Sequence, residues 1–469
     1  MRIDKITGRR LGPFLGPFLG PALATLAVLS LLGWLTGAGF DRANRANAEE
    51  ERLVSLLRGN AFREAGRAAD AILARRPEDP EIKALCGLAL LKMGRISESE
   101  SVFNEVVSRS SDNPEAHLGL GRIGRIRNDT EAAIRHLRRG VESRDFYEEA
   151  FRQLWRAARD RGRMADLADV YRLAEARFQR EERPLPNWIV NGHAQLGGLE
   201  GEDLYRMEGD FEHIPVPLLR RQGARNRMIS LRLNGKGEYP FDIDSASPDF
   251  ITVSPLLALE LGLRETGNSV ATGVGTDTAR VRFSTLDRVD LGGITFRNVP
   301  VMVSDLHTFK GLKKGLVGTG LLKRFNCTID VRRETMDLFS LDRPELLDAN
   351  IDPDGVAVDV PLYLFDATSV EAVMAGGPAG LFILDSAAAT NLIDADFFAE
   401  HLKPRLDPAR IRPGNIQGAQ GIQRINLIDG VTVKLGSLAF GGQRVCEFPM
   451  DPLNEITGRY AAGLVGNPL

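Results

Sequence analysis

The sequence predicts a multidomain protein in which an α-helical solenoid is followed by two all-β lobes. Three observations carry that prediction. Pro80, Pro114 and Glu148 recur every 34 residues, as do Gly94, Asn128 and Gly162; a fixed period of this size marks stacked helix pairs. Beyond about residue 211 the apolar pattern changes from a helical period to alternation, with Ile229, Leu231 and Leu233 separated by polar residues, as on a half-buried strand. Finally, Phe241-Asp242-Ile243-Asp244-Ser245-Ala246-Ser247 returns as Phe382-Ile383-Leu384-Asp385-Ser386-Ala387-Ala388, so the β part reads as a duplication.

A chain of 469 residues has room for several cores. Its net charge of -3 creates no field that demands a nucleic acid or an acidic partner. Cys86, Cys327 and Cys446 are odd in number and far apart, which gives no disulfide framework; they read as buried apolar residues.

Residues 1–45 form the first unit. Arg2, Lys5, Arg9 and Arg10 stand against Asp4 alone, and residues 11–40 carry no charge. Pro13 and Pro17 break a helix, whereas Pro21 suits a first helical turn. Residues 22–40 are then long enough to cross a bilayer. The basic flank holds the N-terminus in the cytoplasm, so the expected protein is membrane-anchored with extracytoplasmic (periplasmic) domains. The alternative is a signal segment cleaved near Thr36-Gly37-Ala38 or Ala46-Asn47-Ala48, which would make the remainder secreted.

Residues 46–180 are the helical array. Gly87 and Gly121 occupy the small-residue position of a first helix, and Ala133 and Ala174 positions where the second packs closely. Trp155 replaces a small residue and predicts a distorted end cap. The array resembles tetratricopeptide repeats, which implies a docking surface for a protein partner; a rigid spacer is the other reading. The cluster Arg122, Arg125, Arg127, Arg135, Arg138 and Arg139 reads as a solvated helix face, with binding of acidic groups as the alternative. Without interleaved aromatics it does not point to nucleic acid. Residues 181–214, charged and proline-bearing at their start, read as a linker.

The first β lobe spans 215–345. Asn234-Gly235 predicts a hairpin turn, the returning strand delivers Asp244, and a short helix follows with Ser254 as cap, Pro255 in its first turn and Gly262 as stop. Asp242 is read as facing away from Asp244, toward solvent. The second lobe, 346–469, repeats the plan: residues 381–384 deliver Asp385, and Asp394 caps the next helix. Val289-Asp290-Leu291-Gly292-Gly293 matches Val433-Lys434-Leu435-Gly436-Ser437, and Gly315-Leu316-Val317-Gly318 matches Gly463-Leu464-Val465-Gly466.

An Asp-Ser-Ala loop after an apolar strand, a glycine hairpin and an apolar-apolar-Gly element together resemble retropepsin-type aspartic proteases, over about 215–469. The resemblance implies an all-β double lobe and an aspartic endopeptidase acting on a peptide or protein substrate. Asp244 and Asp385 would be the catalytic pair, activating a water between them with no metal and no cofactor. Ser245 and Ser386 would tie the two loops together. Thr272, Gly273 and Gly275, with Gln417, Gly418 and Gly421, would belong to substrate-covering flaps, and Leu316-Val317-Gly318 and Leu464-Val465-Gly466 would pack beneath the loops.

Two departures bear on activity. The family's glycine is replaced by Ala246 and Ala387, each adding a methyl group where the peptide should pass. A positive φ at these positions would also cost about 1 kcal/mol or more. The alternative reading is therefore a catalytically inactive peptide-binding scaffold or an assembly subunit. Second, after Gly466 only Asn467-Pro468-Leu469 remain, where the first lobe continues into a helix and a strand. The expectation is a truncated lobe, or one completed by another segment or molecule. Other chemistries lack their residues. His117, His136, His193, His213, His307 and His401 are scattered, and no His-Glu-x-x-His, Cys-x-x-Cys or Gly-x-Ser-x-Gly occurs. The glycines of residues 315–320 lack the Lys-Ser/Thr of a phosphate loop.

Overall fold

The computed structural model describes residues 48–467, apart from 76–77, 197–198, 200, 221–225, 272–278, 307–308, 310, 350–357 and 419–420. The apolar N-terminal segment lies outside the described residues. Among those described, no helix is long and apolar enough to cross a membrane.

Residue 48 to Arg180 is a stack of antiparallel helix pairs: 48–58 with Phe62–Leu73, Pro80–Lys92 with Ile96–Arg109, Pro114–Ile126 with Thr130–Gly140, and Tyr147–Arg161 with Met164–Arg180. Asp79 and Asn113 cap two of the first helices, accepting the amides of Glu81 and Ala116 at 2.8 Å, and Pro80 and Pro114 take the first turn, where a missing N–H costs nothing. Gly87 faces the Phe103 ring and Gly121 faces Leu137, too closely for any side chain. Pro80 and Pro114 of the 34-residue spacing thus stand directly after capping side chains, and the small-residue positions are close helix contacts. The turns at Gly94, Asn128 and Gly162 are left-handed, with φ of 80°, 61° and 84°.

Trp155 is buried, and Gly192 of the helix Asn187–Leu196 lies directly against its ring. The stretch read as a linker is therefore structured in part. It adds this helix over the last pair, and its strand Arg206–Glu208 joins the first β lobe by pairing with residues 295–297.

Each lobe is built around the same crossing. In the first, Gly315–Val317 runs parallel to Gly237–Ile243 and antiparallel to Ile251–Val253. In the second, Gly463–Val465 runs parallel to Ala379–Leu384 and antiparallel to Asn391–Asp394. The duplication read from the sequence is thus a repeated topology. Asn234 and Gly235 turn the first hairpin with φ of 48° and 68°, the positive values such a turn requires. Ser254 caps Pro255–Leu261, and Gly262 closes it in the left-handed region. Asp394 caps Ala395–Phe397 as expected, but the helix then widens into a π turn over Phe398–Leu402. A separate sheet of Asn326–Asp330, Thr335–Phe339 and His213–Pro217 extends the first lobe. Among the described residues no strand of one lobe pairs with a strand of the other.

The array is packed against both lobes along its turn edge. Leu381 sits against Gly94, at 2.7 Å from where a Cβ would stand. Asn128 donates to the Lys323 carbonyl at 3.0 Å, and Gly162 accepts from the Leu204 amide at 2.7 Å. One continuous apolar core runs from the array through the first lobe and takes in Phe365 and Leu381 of the second. The remaining core of the second lobe falls into two clusters of its own.

Charge completes the seam and corrects the reading of the arginine cluster as a solvated face. Arg122 is buried, pairs with Glu149 at 2.6 Å and donates to the Gly458 carbonyl at 3.3 Å. Arg125 contacts Gln153 and Asp366. Of the outer members, Arg127 pairs with Glu100 and Arg138 with Asp169. Asp160 pairs with Lys323 at 2.7 Å. Burial alone would raise Asp160 and Glu149, but the surrounding cations outweigh it and hold both down at about 2. A carboxylate depressed in the folded state adds stability above its unfolded value, lost as pH falls through the folded one. Asp160→Asn should therefore destabilise by about 3 kcal/mol at pH 7, since it strands Lys323. Urea unfolding across pH should show that difference shrinking from about pH 4 downward and closing near pH 2.

Candidate active site

Each aspartate sits where a strand ends and the chain turns back toward the crossing strand. The Asp244 amide donates to the Val317 carbonyl and the Asp385 amide to the Val465 carbonyl, both at 2.9 Å. This fixes the backbone. Each carboxyl is then held by its own loop: Asp244 Oδ1 accepts from the amides of Ala246 at 2.9 Å and Ser247 at 3.1 Å. Asp385 Oδ1 accepts from Ala387 at 2.8 Å and Ala388 at 2.9 Å. The far side of each loop is also fixed alike, since the Ser247 carbonyl accepts from the Thr319 amide and the Ala388 carbonyl from the Asn467 amide, each at 2.8 Å.

The two loops meet through their serines. Ser245 Oγ donates to the Leu384 carbonyl at 2.7 Å and accepts the Ser386 amide at 3.0 Å. Ser386 Oγ donates to the Ile243 carbonyl at 2.7 Å and accepts the Ser245 amide at 3.1 Å. These four bonds form a near-twofold clasp, and each hydroxyl uses both its donor and an acceptor site. The Thr368 amide adds a bond to the Ser245 carbonyl at 3.1 Å, and Asn226 Nδ2 one to the Ala387 carbonyl at 2.9 Å.

The clasp brings the aspartates within electrostatic reach of each other. Burial raises both carboxyls above their ordinary value, and the charge of Asp385 raises Asp244 further. Opposing this, the amides on each Oδ1 favour the ionised form. Both residues remain half-buried, so each keeps some exposure to solvent. Such a site holds one proton between two carboxyls more readily than none.

Neither Ala246 nor Ala387 has a positive φ. The strain that alanine would carry in a left-handed loop is absent here. Their amides keep the bonds to the carboxylates, and the Ala246 methyl packs against an apolar cluster of the second lobe that includes Ile383, Leu392 and Leu464.

The structure corrects the reading of Asp242. Residues two apart on a strand share a face, so Asp242 cannot face away from Asp244. It is buried and pairs with Lys314 at 2.6 Å, and its charge further raises Asp244. Comparison of the two lobes carries the signal for this pair: Asp242 and Lys314 correspond to Ile383 and Ala462 at the matching registers. Thr368 and Asn226 act through main-chain contacts to the clasp, and nothing in their surrounding sequence marks them.

Thr272, Gly273 and Gly275 lie outside the described residues. The strands Gly267–Ala271 and Ala279–Leu291 pair as hairpin arms on either side of them. Gln417, Gly418 and Gly421 lie at the closed end of the hairpin Ile411–Gly418 and Gly421–Leu435, where Gln417 pairs with Ile422 and Gly418 with Gly421.

Residues 229–322 match the family model described as aspartyl protease. That span takes in Asp244, Ser245, Ala246 and the crossing strand Gly315–Val317. Among solved structures, a retropepsin-like aspartic protease from Rickettsia conorii is similar at 24% identity, over 28% of this chain and 100% of its own, with a TM-score of 0.21. No curated protein matches the chain. The family match covers the first lobe alone, so the second lobe and Asp385 rest on the repeated topology; helical repeats precede it.

The clasp yields a direct expectation. Ser245→Ala and Ser386→Ala each remove one hydroxyl and with it two of the four bonds, leaving an amide and a carbonyl without partners. Each should cost about 1–3 kcal/mol, similar in size because the arrangement is nearly symmetric. The double variant should cost less than the sum, since the bonds share one junction. Denaturant titration of the three variants measures this.

Proposed function

We propose that the chain is an aspartic endopeptidase in which one lobe supplies Asp244 and the other Asp385. The single observation that carries this reading is the reciprocal clasp of Ser245 and Ser386, which joins two loops that each hold a half-buried carboxyl by their own amides. A fold that needed these residues only as turn formers would have no reason to join the two loops by four bonds.

Peptide hydrolysis without a metal needs a base for the attacking water and an acid for the scissile carbonyl. Two carboxyls sharing one proton supply both, as is known for aspartic proteases. The ionised carboxyl takes a proton from the water as its oxygen attacks the carbonyl carbon. The protonated one gives its proton to the carbonyl oxygen. The resulting diol collapses with proton transfer to the departing amine, and the pair returns to its starting state. The substrate class is an extended peptide or a protein segment.

The rival reading, a peptide-binding scaffold without activity, rested on the alanines. Their unstrained backbone and retained amide bonds favour the catalytic reading. Recruitment of a substrate or regulator by the helical repeats would use a surface away from the turn edge, which the lobes occupy. The basic, apolar N-terminal segment supports tethering of the lobes on the extracytoplasmic side of a membrane.

Cleavage of a mixed peptide library by the full chain from acid to neutral pH tests the proposal. Asp244→Asn and Asp385→Asn should each abolish cleavage while leaving the fold intact. Because burial raises the pair, the high-pH limb of kcat/KM should lie above the ordinary carboxylate range of about 4, with activity falling as the shared proton is lost. Absence of cleavage by folded wild-type chain, or survival in either Asn variant, would contradict the proposal.

A further inference from the structure

The two lobes share no strand ladder among the described residues. The clasp and a few further bonds join them directly, and the helical array touches both. One helix, Tyr147–Arg161, does so within a single turn. Arg156 pairs with Asp366 of the second lobe. Arg159 lies 3.7 Å from Asp249 of the first lobe. Asp160 pairs with Lys323 at 2.7 Å, and its carbonyl accepts from Arg324 at 3.0 Å. Residues at i, i+3 and i+4 share one helix face, so these three side chains present themselves together.

Their partners lead to the catalytic loops in a few steps. Asp366 is buried and is held also by Arg125. Two residues on, the Thr368 amide donates to the Ser245 carbonyl at 3.1 Å. Asp249 closes the Asp244 loop, and the Gly320 amide bonds its carbonyl at 3.3 Å. Lys323 and Arg324 end the short helix Thr319–Leu322, whose Thr319 holds the Ser247 carbonyl by both its amide and its hydroxyl, at 2.8 and 2.9 Å.

We propose that the helix Tyr147–Arg161 is a brace for the aspartate pair, with Arg156 and Arg159 as positioning residues that fix the Asp385 lobe and the Asp244 loop on one rigid element. The proposal rests on the catalytic reading for its consequence in rate, but its structural content stands apart from catalysis. Misplacing reacting groups by about 1 Å can cost a hundredfold in rate, and a pair assembled from two lobes is exposed to such errors. An array that served only as a spacer or as a docking surface for other proteins would not need to hold both loops.

The test uses the full chain with Arg156→Gln, Arg159→Gln, the conservative Arg156→Lys, and Arg138→Gln as a control inside the array. Circular dichroism establishes folding. Hydrogen exchange is then read on peptides covering 243–249 and 384–389, which contain the clasp amides, and on a second-lobe core peptide covering 425–433. The expected result is exchange about tenfold faster at the two loops in Arg156→Gln and Arg159→Gln, with the core peptide and Arg138→Gln unchanged. Arg156→Lys should restore part of the protection. On peptide substrate, kcat should fall at least about tenfold with KM within about twofold, the mark of disturbed transition-state geometry.

Loops as protected as in the wild type in folded Arg156→Gln and Arg159→Gln would overturn the brace. If one of these does not fold, the other and Arg156→Lys decide by the same criterion. Failure of all three to fold would also overturn it, since the seam would then be a condition of folding and not a device of position. If the wild-type chain cuts nothing, the catalytic reading fails alone and the exchange result still decides the brace.

Discussion

Ser245 and Ser386 each donate a hydroxyl to a carbonyl of the opposite lobe and accept an amide from it. The rest of the site depends on this exchange. Two carboxyls held near each other oppose each other's ionisation. A neutral clasp between backbone and hydroxyl groups can hold them there without adding charge to the site. The loop amides on each Oδ1 and the crossing strands Gly315–Val317 and Gly463–Val465 then determine where each carboxyl points.

Both loops accommodate their alanines by conformation. Neither position needs a left-handed backbone, so the methyl group meets only its surroundings. At Ala246 those surroundings include the core of the second lobe, and the extra carbon becomes interlobe contact. The array adds a further constraint from outside. Its left-handed turns at Gly94, Asn128 and Gly162 end the first helices in register, and that regular edge meets Leu381, Lys323 and Leu204 of the β part.

Much of this was legible in the residues. The 34-residue spacing placed Pro80 and Pro114 at helix starts and Gly94, Asn128 and Gly162 at turns, because each is a local backbone requirement; Glu148, the third opening position, lies one residue inside its helix with no side-chain cap before it. The repeated Asp-Ser-Ala loops located both aspartates and both serines for the same reason. What escaped was contact between distant segments. Arg122 and Arg125 look like members of a solvated cluster until the second lobe covers them. Trp155 looked like a defect at the end of the array, and Gly192 of the supposed linker turned out to be shaped to it. Asp242 was misjudged through the strand period itself, and the comparison with Ile383 and Ala462 would have exposed its pairing with Lys314. The glycine hairpins of both lobes were legible from glycine placement, while their role as flaps comes only from the family resemblance; Thr272, Gly273 and Gly275 fall outside the described residues.

On the proposed reading, one chain makes one site from both lobes. Calorimetric titration of the full chain with a statine-type peptide, whose hydroxyl stands in for the attacking water, tests it most directly when combined with the molecular mass in solution. One inhibitor should bind per monomeric chain, and binding should be lost in either Asp244→Asn or Asp385→Asn. One inhibitor per two chains, or binding that survives one of the substitutions, would contradict it.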